Sequence, residues 1–274
     1  MWQDTDKDAP VGEFLGWVAL IWVVCMGISM LLDEYSAAFL ATGKVTGWYV
    51  VYAIVGVFFD TPNPMIATYI VLRRHGKIRG VKDFCRLVLH TARKGRTLLI
   101  TACFCSAALL AALLFGTPNG SPWYLMPLAL PLMVLGGGVE EIGWRGFLQP
   151  ALEKKLPYPA ATLLTAVIWI TWHLPLWLLP SSNHFGDSIL GFVIMFTVWS
   201  FVAAGIYKAT KSVAAAVVYH AFMNAIGAVF DWNGLFDAFP NQPGMYVYFF
   251  LILTASVVLW KMADRREQRL HITA

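Results

Sequence analysis

Gly136-Gly137-Gly138-Val139-Glu140-Glu141-Ile142-Gly143-Trp144-Arg145-Gly146-Phe147-Leu148-Gln149-Pro150 sets two adjacent carboxylates and an arginine in a stretch otherwise apolar enough to cross a bilayer. A charge at the centre of a membrane helix costs at least ~2.5–3.5 kcal/mol on insertion scales, so an intramembrane ionisable group marks a functional site by default. Two more apolar segments each carry one polar cluster, Trp169-Ile170-Thr171-Trp172-His173 and His220-Ala221-Phe222-Met223-Asn224. Together the three point to chemistry done inside the membrane.

Working outward, 58% of the 274 residues are hydrophobic and only 13% are charged. A soluble domain averages about 25% charged residues. We therefore read residues 1–274 as a single integral membrane domain of all-α class, a polytopic helical bundle with a catalytic cavity in the bilayer. Windows of roughly 20 apolar residues predict eight spans, near 11–32, 48–72, 97–116, 123–152, 159–179, 187–207, 212–230 and 245–262. The first is too long for a signal peptide and lacks its small-residue cleavage pattern, so we expect it to be retained. The second contains Asp60-Thr61-Pro62-Asn63-Pro64 and is expected to break there, with Asp60 as a helix cap. Cys25, Cys85, Cys103 and Cys105 have no metal or disulfide spacing and read as small hydrophobes.

Lysine and arginine orient the spans. Arg73, Arg74, Lys77, Arg79, Lys82, Arg86, Arg93, Lys94 and Arg96 crowd the loop 73–96. Lys154 and Lys155 follow span four, Lys208 and Lys211 span six, and Lys261, Arg265, Arg266 and Arg269 span eight. With both termini cytoplasmic all of these lie inside, and only Lys44 lies outside, as the positive-inside rule requires. The acidic 4–8 terminus carries little weight in that rule. Within the basic loop, Val81, Phe84, Val88 and Thr91 share a face, which predicts a short helix on the cytoplasmic leaflet. The expected partners are the bilayer and a membrane-associated protein or peptide, not nucleic acid.

Helical rise of 1.5 Å per residue converts position into depth. Counted from the inner end of each span, Glu140 lies roughly 18 Å deep, His173 roughly 21 Å, and His220 and Asn224 roughly 12–18 Å. His220 and Asn224 are four residues apart and share a helix face. A carboxylate in an apolar site suits a general base near neutrality. A histidine can hold the same water, and a His/Asn pair can offer donors to an oxyanion. Arg145 is four residues from Glu141, so those two are expected to pair, leaving Glu140 free. Taken alone, His184 and Asp187 in an outer loop carry no assignment.

Glu140-Glu141-x-x-x-Arg145, an aromatic-x-x-x-His ending at His173, and His220-x-x-x-Asn224 resemble the three motifs of the CAAX protease and bacteriocin-processing (CPBP, or Abi) family of intramembrane proteases. The resemblance covers residues 123–230 and departs at Trp169, where the family more often has phenylalanine. It implies an intramembrane endopeptidase acting on a CAAX-type prenyl protein or a bacteriocin or signal peptide. Glu140 and His173 would activate water, and His220 and Asn224 would form the oxyanion site. Glu141, Arg145 and Trp169 would support them. The family has been described both as metalloproteases and as metal-independent glutamate proteases. We expect no required cofactor; if zinc or another divalent metal is used, Glu140, His173 and His220 would be its ligands. The rival readings are a membrane scaffold or bacteriocin-immunity protein of the same fold, and a transporter with an ionisable midplane site.

Overall fold

The computed structural model describes residues 9–231 and 243–272, the last helix with side chains at 244–265. The acidic stretch 4–8 and the side chains of Arg266 and Arg269 lie outside the described residues.

All eight expected spans fall on helices. Helix α1, Val11–Thr42, runs ten residues past its expected end. Helices α2, Gly47–Asp60, and α3, Asn63–Arg74, form one span bent by 50°. Pro62 and Pro64 cause the bend, because neither has an N–H to give to the carbonyl four residues back. The expected cap role of Asp60 is corrected here. Helix α3 is entered at Pro62 with no side-chain cap, while Asp60 closes a π-turn and its buried Oδ1 has no hydrogen-bond partner.

Helix α4, Val81–Val88, is the short helix of the basic loop. Its expected apolar face is only half realised. Phe84 is buried edge-on against Tyr69, yet Val81 is exposed and Thr91 lies beyond the helix, bonded to Ser212.

Helices α5, Lys94–Phe115, α6, Leu125–Leu135, and α7, residues 138–153, follow. Then come α8, Tyr158–Leu178, α9, Ile189–Thr210, α10, Val213–Ile226, and α11, Pro243–Ile272. Among the described residues six helical segments are long and apolar enough to cross a membrane, and the bent α2–α3 pair makes seven.

Helix α10 has 14 residues, roughly 21 Å, against a hydrocarbon core of about 30 Å. It nonetheless carries the chain from one face to the other. At its start Ser212 bonds Thr91 beside the basic loop. Just past its end, Phe230–Asp231 pairs antiparallel with Thr117–Pro118 at the far end of α5. Being mostly buried among α5, α6, α7 and α9, this helix need not match the lipid. It forms the centre of the bundle, with α8 and α11 packed on α9 and α1 on α3. Glu13 pairs with Arg74 and His75, both at 2.8 Å, fixing the start of α1 at the basic-loop face.

Candidate active site

The fourth expected span is not one straight helix. Helix α6 stops at Leu135, the chain bends through Gly136 and Gly137, and Glu140 ends a 3-10 turn. The bend lies on the far side of Glu140 from Leu152, so the depth counted from the inner end runs along α7 and does not cross it. Gly137 explains why glycine stands at the bend: its φ is +146°, and a Cβ there would overlap the Asn224 amide and come within 3.0 Å of His220 Nε2. Past the bend, Gly143 lets α7 press its backbone onto Pro64 of α3, where any Cβ would collide. The kink in one span thus fits against the break in another.

Glu140 is 4% exposed. Its Oε2 accepts a hydrogen bond of 2.8 Å from Trp169 Nε1. One turn on, His173 Nδ1 lies 2.9 Å from the Trp169 carbonyl. A carbonyl only accepts, so Nδ1 carries the hydrogen and the lone pair of the neutral ring sits on Nε2. The indole stands edge-on between two imidazoles, its centroid 5.7 Å from His173 and 5.5 Å from His220.

His220 Nδ1 lies 3.0 Å from Glu141 Oε1. Glu141 also meets Arg145 Nη1 at 3.2 Å, as the four-residue spacing predicts. The expected division, with Glu141 spent on Arg145 alone, is corrected: Glu141 holds His220 too. Arg145 is fully buried, gives Nη2 to Ser200 Oγ at 2.8 Å, and packs its guanidinium 4.9 Å from the Trp169 ring centre. Asn224 Nδ2 donates to the Gly136 carbonyl at 3.2 Å, at the bend itself.

The three motifs do meet in space. Glu140 and His173 are joined through Trp169, with its indole on one and its carbonyl on the other. Sequence reasoning gave Trp169 a supporting place only and left its N–H, which phenylalanine lacks, unassigned. It also missed Ser200, a hydroxyl in an apolar span, and the position of His184. That ring stands at right angles to His173 with centroids 6.2 Å apart, stacked on Trp177.

Among the described residues no three His, Cys, Asp or Glu side chains are arranged to hold an ion.

Residues 121–226, which hold every one of these motif residues, match the Rce1-like family, described as type II CAAX prenyl endopeptidase Rce1-like. This segment belongs to the CAAX protease family. A relative of the CAAX protease segment is the CAAX prenyl protease 2 of Methanococcus maripaludis, 28% identical over 100 residues. That match takes in 34% of this chain and 37% of the relative, so the chain spans a little over a third of that protein's length. The CAAX protease segment begins before α6 and ends with α10, the central helices of the bundle.

Proposed function

We propose that the chain is an intramembrane endopeptidase that cleaves a membrane-anchored protein or peptide, with a CAAX-type prenyl protein as the substrate class. The observation that carries the reading is the hydrogen-bonded line His173–Trp169–Glu140. It leaves the Nε2 lone pair of His173 and the Glu140 carboxylate on groups bridged by one tryptophan. Both can accept from one water.

Glu140 takes a proton from that water while His173 Nε2 orients it. The water oxygen bonds to the scissile carbonyl carbon, and the carbonyl becomes an oxyanion beside Asn224 and His220. Asn224 has a second amide hydrogen to give. His220 can donate from Nε2 only as the imidazolium, with Glu141 as its counterion. Glu140 then returns the proton to the leaving amine as the C–N bond breaks. No step uses a metal.

Glu140→Gln and His173→Ala should each abolish cleavage of a lipidated reporter peptide by purified protein in vesicles. Asn224→Ala should retain activity lowered by about 10²–10³, the usual loss for one oxyanion donor. Turnover near wild type by Glu140→Gln, or bound metal whose chelation stops cleavage, would overturn this mechanism.

A further inference from the structure

A second polar region lies well away from the Glu140 centre. At the face opposite the Glu13–Arg74 pair, a cavity of about 380 Å³ opens between the second half of α1, α2 and the turn after α8. Ser29, Ser36, Tyr52, Asp60, Ser181 and Asn183 supply its polar wall, and no lysine, arginine or histidine lines it. Asp33, 7% exposed, lies alongside and is satisfied, because both the N–H and the hydroxyl of Ser181 donate to its carboxylate. Ser181 has one hydroxyl hydrogen, so Tyr52 must donate to Ser181 Oγ across their 3.2 Å contact.

Asp60 is not satisfied. Its Oδ1 is buried without a hydrogen-bond partner. Among the described residues no basic group pairs with it. The start of α3, three residues on, contributes about half a positive charge at most. Two carboxylates thus lie in one region with no cation of the protein's own: Asp33 is held by Ser181, and half-buried Asp60 keeps its Oδ1 shielded without a partner, which disfavours its charged form.

We propose that this cavity is a binding site for a monocation, an alkali ion or the ammonium group of a small amine, held on the Asp60 carboxylate. Serine, tyrosine and asparagine oxygens are neutral donors that complete its shell. One orphan carboxylate matches a single positive charge. A divalent ion would call for more carboxylate ligands, and no cluster of three is present among the described residues. Broken helices with polar groups at the break are also how membrane proteins hold small cations. The site stands apart from the hydrolytic centre, and its test needs no turnover.

Thermal unfolding of the purified full-length protein at fixed ionic strength, with N-methylglucamine replaced by sodium, potassium or ethylammonium, gives the first readout. A saturable rise in the midpoint is expected with one class of cation and should vanish in Asp60→Asn. A response to sodium or potassium identifies an alkali ion, and a response to ethylammonium alone identifies an amine. The second readout uses wild type, so it holds even where Asp60→Asn fails to fold. Carbodiimide labelling of Asp60, mapped by mass spectrometry, should fall several-fold when the active cation is added. Unfolding and labelling that ignore every cation, or a full cation response in Asp60→Asn, overturns the proposal.

Discussion

Trp169 shows how one atom can matter more than the side chain around it. Its ring packs against His173, His220 and Phe196, which any aromatic could do, but only its N–H reaches Glu140. Hydrogen bonds to charged groups contribute about 1.5–3 kcal/mol. If Glu140 works as the base, Trp169→Phe should therefore lower kcat/KM by roughly 10- to 150-fold with little change in unfolding temperature. A peptidase assay beside a melting curve measures both, and unchanged kcat/KM would mean that the indole only packs. The Glu141–Arg145 pair was legible because helical spacing fixes it locally. The His220–Glu141 bond was not, since it joins residues 79 positions apart and depends on how α10 meets the bend after α6. The open nitrogen of His173 was equally hidden, because its partner is a backbone carbonyl that no motif encodes.

At the scale of elements, hydropathy put every expected span on a helix, while what it smoothed over were the breaks. The bend at Gly136–Gly137 carries the Asn224 contact, and Gly137→Ala would put a strained backbone and a methyl group into it. Its expected outcome is normal membrane insertion with cleavage reduced at least tenfold, read from abundance and activity in the same vesicles. The turn between α8 and α9 holds His184, whose Nδ1 lies 3.4 Å from Asp187 Oδ2. That distance suits an ion pair, yet burial pushes the imidazole down to about 4, so at neutral pH the contact is with an uncharged ring. The unfolded chain takes up that proton near pH 6.5. Between about 6.5 and 4 the unfolded state then binds more protons, and stability falls as the pH drops through that window. His184→Phe keeps the stacking on Trp177 and should flatten the acid side of a melting-temperature profile between pH 4 and 7.

For the whole molecule, the path of α10 from the Ser212–Thr91 end to the Phe230–Asp231 strand, added to the seven apolar spans among the described residues, agrees with the even number of passes expected from the lysine and arginine pattern. We expect the basic loop 73–96 and both termini on the cytoplasmic side. Membrane-impermeant labelling of single cysteines placed in that loop should occur only after the membrane is opened, and a reporter fused after Ala274 should be active inside; labelling of intact cells would reverse the assignment. The order in which the helices are made adds a consequence. Glu140, Glu141 and Arg145 leave the ribosome 80, 79 and 75 residues ahead of His220, a lag of roughly 4–16 s at ordinary synthesis rates. During that interval Glu141 has Arg145 beside it but lacks the imidazole, Ser200 arrives only part-way through, and Glu140 waits for Trp169. The segment richest in charge is therefore the one least able to settle in lipid when it is born. Its integration becomes a late and collective event, decided when α10 slides into the centre, and a chain stalled before that point is exposed to the cell's membrane quality control.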